Sequence, residues 1–191
     1  MRDRAARFDA IDTARLLAPV ASLLPDKPSR ILDIGAGTGR DARWFARQGH
    51  LVCAVEPDHD LRAAARVFPD KRIGWVADAL PALSKVTALK ETYDLILMCA
   101  VWHILSQSDF EKAFRTLHNL LRAKGALVLS LRQSGKETDG MLDATLRAAN
   151  LAGFTLCHQV AAASVQPANR SAGVTWVWLG LTPNKQATPT N

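Results

Sequence analysis

The sequence predicts a doubly wound α/β fold with a mostly parallel sheet that ends in an antiparallel pair of strands. Short apolar runs alternate with longer amphipathic segments over most of the chain. Several of these runs are apolar at consecutive positions, as in strands that are covered by helices on both faces. The last two runs are separated by a stretch without a helical pattern, and only antiparallel neighbours are commonly joined by such a loop.

The first two thirds of the chain contain five predicted strands, each short, rich in leucine or β-branched residues, and bounded by Gly, Pro or Asp. They cover 31–34, 51–55, 73–76, 95–101 and 126–131. Amphipathic segments between them predict helices over 41–48, 58–67 and 109–122. We expect the third helix to begin with a capping box of Ser108 and Glu111 and to end at Lys124 and Gly125.

The last third of the chain has a different pattern. It predicts a helix over 141–150 and a strand over 154–160, then a loop rich in Ala, Ser and Pro over 161–173, and a final strand over 174–181.

The chain is expected to form one main domain with two short extensions. Residues 1–28 are predicted to be a helical segment that caps the functional site. Residues 29–182 are predicted to form the main domain, and residues 183–191 a flexible tail.

Composition excludes several classes of protein. With 48% hydrophobic and 22% charged residues, the chain is neither disordered, collagen-like nor a coiled coil. Its net charge of +6 is spread along the sequence without a basic run interleaved with aromatics, so nucleic acid is a possible partner but not the favoured one. The N-terminus lacks an apolar segment and the longest apolar run is short, so neither a signal peptide nor a membrane span is expected.

The three cysteines, Cys53, Cys99 and Cys157, are scattered through the sequence. Their number is odd and their spacing fits neither a disulfide framework nor a zinc site. Each lies in an apolar run, where a small buried side chain is the expected role. The five histidines share no ligand spacing, so no metal is expected. These features favour a reducing, cytoplasmic location.

The segment with the clearest chemistry is ILDIGAGTGR, residues 31–40, which leads from a strand through three alternate glycines into a helix. Glycines permit a tight turn and let a ligand approach the backbone closely. A dinucleotide-binding motif, G-x-G-x-x-G, would place its last glycine where Arg40 stands. The sequence therefore disfavours a nicotinamide dinucleotide at this loop.

Two carboxylates follow the next two predicted strands. Glu56 ends the second strand and can accept hydrogen bonds from both hydroxyls of a ribose. Asp78 follows the third strand and can accept from the exocyclic amine of adenine. Together with the glycine loop they predict a nucleoside-binding crevice, although Glu56 could instead cap a helix and Asp78 could be an ordinary turn residue.

With these motifs the sequence resembles the class I S-adenosylmethionine-dependent methyltransferases. The family's acidic-x-Gly-x-Gly-x-Gly motif is matched by Asp33, Gly35, Gly37 and Gly39. Glu56 and Asp78 match its acidic positions after the second and third strands, and YDLILMCAVWH, residues 93–103, resembles its fourth motif. The resemblance covers about residues 30–132. It departs at Ala123 and Lys124, where Pro and Gly are usual.

The resemblance implies a Rossmann-like methyltransferase fold, with seven strands of which one near the C-terminus is antiparallel, and S-adenosyl-L-methionine as cofactor. It implies these cofactor-binding residues: Asp33, Gly35, Ala36, Gly37, Gly39, Glu56, Pro57, Asp78, Ala79, Leu80, Ala100 and Val101. In this interpretation Glu56 binds the ribose, while Asp78, Ala79 and Leu80 surround the adenine. The methionine part is lined by Asp33 and the glycine loop, with Ala100 and Val101 beside it, although Asp33 could instead only cap that loop.

His103 is the candidate catalytic residue, because it follows the fourth strand and an imidazole can accept a proton from an amine or hydroxyl. The alternative is an imidazole bonded to the backbone. Trp102 could form a wall for a substrate or belong to the core. Arg132 and Lys136 could meet an acidic substrate, although exposed cations are the commoner explanation.

The favoured acceptor is a small molecule that is methylated on an oxygen or nitrogen. The sequence lacks the Pro-Pro-aromatic motif of nucleic-acid amino-methyltransferases after the fourth strand, and its cysteines are predicted in strands rather than in nucleophilic loops. RNA and protein acceptors remain alternatives. A non-catalytic S-adenosylmethionine-binding protein is a further alternative. So is a nicotinamide-dependent oxidoreductase, although Arg40 in the glycine motif argues against it.

Overall fold

A single seven-stranded sheet organises the chain in the computed structural model, which describes residues 2–135 and 140–184 and the side chains from residue 6 onward. The strands are β1 (Arg30–Ile34), β2 (Leu51–Val55), β3 (Ile73–Val76), β4 (Tyr93–Met98), β5 (Leu121–Gln133), β6 (Phe154–Ala163) and β7 (Thr175–Pro183). Their spatial order is β3-β2-β1-β4-β5-β7-β6. The chain therefore reverses direction across the sheet between β1 and β4, which is where doubly wound folds bind ligands.

Helices connect most of the strands. They are α1 (Arg2–Asp9), α2 (Thr13–Leu17), α3 (Arg40–Arg47), α4 (His59–Ala65), α5 (Ser84–Ala88), α6 (Phe110–Leu120), α7 (Met141–Leu151) and α8 (Pro167–Ser171). Short 3₁₀ helices cover Ala18–Leu23, Trp102–Ile104 and Gln107–Asp109. In the described part of the chain, no helix is long and apolar enough to cross a bilayer.

The predicted sheet topology is confirmed. Strands β1 to β5 pair in parallel, whereas β7 pairs antiparallel with both β5 and β6. Residue 132 of β5 lies directly opposite residue 176 of β7, so their side chains share one face of the sheet.

Apolar side chains cover both faces of the sheet, as the continuous apolar runs predict. On one face α5, α6 and α7 contribute a core that includes Trp102, Phe114 and Phe154. On the other face Phe45 of α3 packs with the N-terminal helices and Trp178. The two layers hold the carboxyl ends of the parallel strands at one edge.

The junction between α6 and β5 differs from the prediction. Ser106, not Ser108, uses its hydroxyl as a cap, and it caps the 3₁₀ helix that precedes α6. Lys124 and Gly125 lie inside β5 rather than ending a helix. A β-carbon at Gly125 would lie 2.9 Å from the Asp94 carbonyl, so this glycine permits close contact between β4 and β5.

The interval 161–173 is more ordered than predicted. Strand β6 continues to Ala163, which pairs with Thr175, and α8 follows with Pro167 in its first turn, a position where the missing N–H of proline costs nothing. Strand β4 is shorter than predicted and ends at Met98. Cys157 is exposed on the edge strand β6, so the expectation of a buried thiol is wrong for this cysteine.

The two ends of the chain flank this sheet. Residues 2–28 contain α1, α2 and a 3₁₀ helix. Pro183 still belongs to β7, and the Asn184 amide donates to the Gly153 carbonyl. The rest of the predicted tail lies outside the described residues.

Candidate active site

A cavity of about 790 Å³ lies at the carboxyl ends of the parallel strands. Its volume is in the range of small-molecule sites, about 300–1,000 Å³. Most of the residues predicted for the cofactor and for catalysis line it: Gly35, Ala36, Gly37, Glu56, Pro57, Asp78, Ala79, Leu80, Ala100, Val101 and His103. The topology thus brings the ends of β1, β2, β3 and β4 to one concave surface.

The glycine loop after β1 is fixed by backbone contacts. Gly35 has φ of +73°, and its amide donates to the Val55 carbonyl at 2.8 Å. A β-carbon at Gly35 would lie only 2.1 Å from Val101 Cγ2. Only glycine therefore lets the loops after β1 and β4 pack against each other.

Glu56 lies 7% exposed between the glycine loop and the start of α4. Its Oε2 accepts from the Gly37 amide and its Oε1 from the Asp58 amide, both at 2.9 Å. Each carboxylate oxygen keeps a second acceptor position. Glu56 thus orders the loop and can still accept two further hydrogen bonds.

Asp78 combines a structural contact with a position in the cavity wall. Its Oδ2 accepts from the amides of Lys85 and Val86 and so caps α5, while its Oδ1 accepts from the Ala79 amide at 2.9 Å. One acceptor position is left on Oδ1. Asp78 therefore has the structural role that the sequence analysis gave as an alternative. It also keeps one acceptor position that a ligand could use.

Asp33 is one of two predicted cofactor-binding residues that do not line the cavity. Its side chain is 2% exposed and its Oδ2 has no hydrogen-bond partner among the described residues. Burial, and secondarily the nearby Asp41 carboxylate, raise the pKa of Asp33 well above its usual range. Asp33 thus lies outside the cavity wall, and its contact with the methionine part stays a prediction.

Gly39 is the second predicted residue outside the cavity wall. It has φ of +78° and precedes α3, and a β-carbon there would lie 2.7 Å from the Trp75 ring. Glycine is needed here because a larger residue would collide with Trp75 of β3.

Arg40 joins the glycine motif to the N-terminal segment. It forms a bidentate pair with Asp41 and donates from Nη1 to the Phe8 carbonyl at 3.2 Å. The hydroxyl of Thr13 donates to the same Asp41 carboxylate at 2.7 Å. The arginine that replaces the last dinucleotide-motif glycine is thus part of a tether for residues 2–28.

A second polar contact strengthens this tether. Asp9 accepts from the Thr38 hydroxyl and from Arg43, both at 2.7 Å. The N-terminal segment in turn places Phe8, Ile11 and Leu16 in the cavity wall. Sequence reasoning predicted a capping segment but did not identify these residues, because the partners are about 30 positions apart.

His103 lies in the 3₁₀ helix after β4, half-buried, with its ring 6.1 Å from that of Trp176 in an edge-on arrangement. Its Nδ1 is buried and has no hydrogen-bond partner among the described residues. Burial and, to a smaller extent, the Arg132 charge lower the pKa of His103. The imidazole is therefore neutral at pH 7 and can accept a proton.

Trp102 belongs to the core rather than to a substrate wall. It is fully buried, its indole N–H donates to Thr145 Oγ1 at 2.9 Å, and its ring packs against Phe110 and Phe114. Arg132, in contrast, lines the cavity, while Lys136 lies outside the described residues.

The far end of the cavity contains residues that the sequence did not indicate. They come from the end of β6, from α8 and from β7: Ser164, Val165, Gln166, Asn169, Trp176 and Trp178. The only signal was the pair of tryptophans on one face of the last strand.

The loop after β4 forms the middle of the cavity. Cys99 lies in this loop and not in a strand, and burial raises the pKa of its thiol to about 12. Ala100 has φ of +58°, and its amide donates to Ser130 Oγ at 2.9 Å. A left-handed conformation is rare in residues other than glycine, and it is typical of backbone that the surrounding structure holds in place at a functional site.

A family model described as a methyltransferase domain matches residues 5–176. The chain belongs to the methyltransferase-domain family. This confirms the resemblance to class I S-adenosylmethionine-dependent methyltransferases, whose cofactor is S-adenosylmethionine.

Individual relatives support the same fold. A TehB-like methyltransferase structure from Corynebacterium glutamicum is 24% identical, with a TM-score of 0.70 over 96% of this chain and 95% of that one. The 1,6-didemethyltoxoflavin-N1-methyltransferase of Burkholderia thailandensis is 22% identical, with a TM-score of 0.64 over 95% and 79%.

A curated relative, an uncharacterized methyltransferase of Alkaliphilus oremlandii, is 25% identical over 64% of this chain and 54% of its own length. The chain spans about half the length of the curated relatives it matches.

The residues in the cavity fit this cofactor. Glu56 and Asp78 retain acceptor positions suited to a ribose diol and an adenine amine. Among the described residues, a β-carbon at Gly37 would have one neighbour within 4 Å, Phe8 Cδ2 at 3.9 Å. Space for a ligand therefore remains beside the loop. Within residues 2–135 and 140–184, no group of His, Cys, Asp and Glu is arranged to hold a metal ion.

Proposed function

We propose that this protein transfers a methyl group from S-adenosylmethionine to an oxygen or nitrogen of a small-molecule acceptor. The observation that carries the proposal is the continuity of one cavity. It runs from Glu56 and Asp78, which offer acceptors to a nucleoside, past the loop after β4 to His103. A cofactor and an acceptor can therefore lie side by side in the same space.

The cofactor would be held mainly by strand ends. Glu56, with Pro57 beside it, would bind the ribose hydroxyls. Asp78 would accept from the adenine amine through Oδ1, with Ala79 and Leu80 next to the base. The methionine part would lie along the glycine loop opposite Ala100 and Val101. Asp33, buried near the end of β1, would hold that loop in place.

When bound, S-adenosylmethionine supplies an electrophilic methyl group, whose bond to sulfur breaks as its bond to the acceptor forms. The chain contributes positioning and exclusion of water, which account for a large part of the rate enhancement in such displacements. Phe8, Ile11 and Leu16 cover the cavity, and the tether through Arg40 and Asp41 holds them there.

His103 would act as the general base. Its pKa is lowered, so the imidazole is neutral at pH 7 and can take the proton that the acceptor nucleophile loses. An acceptor already deprotonated would not need this help, because the displacement itself requires no base.

A small acceptor is favoured by the size of the cavity and by the number of segments that line it. The N-terminal helices, the 3₁₀ turns after β4, and α8 all contribute residues to the wall. A cavity of this volume is in the range of sites that bind small molecules.

The test uses methyl-labelled S-adenosylmethionine and a cell extract that is separated into metabolite, RNA and protein fractions. We expect label in a low-molecular-weight product, and at least ten-fold less with His103→Gln at neutral pH if the base acts as proposed. Binding of S-adenosylhomocysteine without transfer to any fraction would favour a binding protein. Label in RNA or protein alone would replace the small-molecule acceptor.

A further inference from the structure

The proposed acceptor end of the cavity contains a cation that no carboxylate of residues 2–135 and 140–184 neutralises. Arg132 on β5 lines the cavity, and its one hydrogen bond within the described part of the chain goes from Nη1 to Ser134 Oγ at 2.5 Å. The other arginine in the wall, Arg40, is paired with Asp41. Arg132 therefore differs from Arg40 in having donors that remain free for a ligand.

An aromatic surface lies beside this guanidinium. Trp176 is directly opposite Arg132 in the antiparallel register and lines the same cavity. The His103 ring stands edge-on to Trp176, and the Arg132 charge is near enough to lower the pKa of His103. One guanidinium, one indole and one neutral imidazole thus surround the same part of the cavity.

The carboxylates in the wall do not neutralise Arg132. Asp41 is bound by Arg40 and Thr13, while Glu56 and Asp78 accept backbone amides at the cofactor end. Asp109, half-buried in the turn Gln107–Asp109, also lines the cavity but forms no ion pair with Arg132 in the described chain. Its negative charge makes a cationic ligand the competing possibility that an experiment must exclude.

We propose that the methyl acceptor carries a carboxylate that Arg132 binds, with the planar part of the acceptor packed against Trp176. This inference rests on the proposed function and assigns the acceptor's chemical class. A planar guanidinium presents parallel N–H donors that match a carboxylate, and hydrogen bonds between charged groups are the stronger kind. A single free guanidinium balances a single negative charge, which favours a monocarboxylate over a phosphate dianion.

The test measures ligand binding with the cofactor site filled, so it does not depend on transfer. The protein is saturated with S-adenosylhomocysteine and titrated, by fluorine NMR, with three aromatic acids and their primary amides. The acids are 4-fluorobenzoate, 4-fluorophenylacetate and 5-fluoroindole-2-carboxylate. 4-Fluorobenzylamine tests a cation at Asp109, and 4-fluorophenyl phosphate tests the dianion. We expect at least one acid to bind ten-fold or more tightly than its amide, the amine and the phosphate.

Variants assign the effect to the guanidinium. Arg132→Gln should weaken binding of that acid at least ten-fold, and Arg132→Lys should retain part of it. S-adenosylhomocysteine affinity should change less than two-fold in both. Arg115→Gln is the matched control, because Arg115 is an exposed arginine on α6, paired with Glu111 and outside the cavity wall. It should leave both affinities unchanged.

The outcomes separate the two proposals. If no acid binds better than its amide, or if Arg132→Gln retains the preference, the carboxylate inference is overturned while the methyltransferase proposal stands. Tighter binding of the amine or the phosphate also overturns it. Failure of the wild-type protein to bind S-adenosylhomocysteine would contradict the proposed function itself.

Discussion

The two ends of the cavity are built in different ways. At the end where we propose the cofactor, the wall contains backbone amides and carboxylates within a few residues of strand ends, such as Glu56 after β2 and Asp78 after β3. At the acceptor end, the wall consists of side chains from β5, β7 and α8, which the antiparallel pairing brings together. A site formed by local turns is encoded in short motifs, whereas one formed by sheet register is not.

The ends also differ in charge. Glu56 and Asp78 supply negative charge at the cofactor end, while the acceptor end presents Arg132 beside a neutral His103. This arrangement places opposite charges at the two ends of one cavity. A cofactor with a neutral nucleoside and an acidic acceptor would each meet groups of suitable character.

The largest expected effect concerns the contact between the loops after β1 and β4. Gly35→Ala would force a β-carbon to within 2.1 Å of Val101 Cγ2 at a left-handed φ. The strain and the overpacking together should cost about 2–5 kcal/mol of stability. We expect a lowered melting temperature in calorimetry and loss of S-adenosylhomocysteine binding in isothermal titration.

Two variants separate the clash from the backbone strain. Gly140→Ala has nearly the same φ, +75°, and no atom of the described residues lies within 4 Å of the new β-carbon, so it should cost only about 1–2 kcal/mol. Adding Val101→Ala to Gly35→Ala removes the clashing methyl groups and should restore part of the stability. Equal losses in Gly35→Ala and Gly140→Ala would show that the loop contact is unimportant.

The next effect tests the ribose acceptor. Glu56→Ala should weaken S-adenosylhomocysteine binding by about 1–3 kcal/mol, or roughly 5–150-fold, because ribose hydroxyls and the Gly37 amide lose their acceptor. Glu56→Gln keeps one carbonyl oxygen and should lose less. Isothermal titration measures both, and unchanged affinity in Glu56→Ala would reduce this residue to a support for the loop.

These two predictions concern the end of the cavity that the sequence describes well. Five strands and the order of the glycine loop, Glu56 and Asp78 could be predicted because each signal is local and because strands of a covered parallel sheet are continuous apolar runs. Helix and strand ends near residues 121–125 could not, since Gly125 is set by contact with the neighbouring β4. That contact is not visible in a local pattern.

The acceptor end shows the opposite behaviour. Trp176 and Arg132 are 44 residues apart in the chain (176 − 132), and only the β5–β7 register places them side by side. Helix α8 and the extension of β6 were predicted as a loop because five residues and a proline give no helical pattern. The tether at Asp9 was invisible for the same reason, since its partners lie on α3 and the glycine loop.

A smaller effect is expected at Asp78, which caps α5 and faces the cavity. Asp78→Ala should cost about 1 kcal/mol of stability, as helix caps do, and also weaken S-adenosylhomocysteine binding. Asp58→Ala is the matched control, because Asp58 caps α4 through the amides of Asp60 and Leu61. It should lower stability similarly with a smaller loss of affinity, and identical affinity losses would argue against an adenine contact.

The pH dependence tests the other end of the cavity. Because the pKa of His103 is lowered in the folded state, the native protein binds fewer protons, and this histidine's contribution to stability falls as pH drops below about 6.5. Arg132→Gln removes one of the causes that lower the pKa of His103, so the acidic limb of the kcat/KM profile should move to higher pH. A limb that does not move, in an active variant, would mean that His103 does not titrate in the reaction.

The smallest effect should come from the tether that joins the N-terminal segment to the cofactor end. Asp9 is partly exposed, and its ion pair with Arg43 is therefore worth little in stability, about 0–1 kcal/mol. Asp9→Ala should barely change the melting temperature, yet Thr38 and Arg43 would lose the group that holds Phe8 over the glycine loop. We expect S-adenosylhomocysteine to dissociate roughly two- to five-fold faster in stopped-flow displacement, which corresponds to about 0.4–1 kcal/mol.

The control for this tether is an exposed pair elsewhere, Glu111 with Arg115 on α6. Glu111→Ala removes a comparable ion pair and should leave the dissociation rate unchanged. If both variants, or neither, accelerate dissociation, the contacts of Asp9 do not control how fast the cofactor leaves, and the contacts of Arg40 and Thr13 suffice to hold the N-terminal segment. If only Asp9→Ala accelerates dissociation, an ion pair that contributes little to the stability of the fold controls how long the cofactor stays bound. It would do so by holding the N-terminal segment over the cavity.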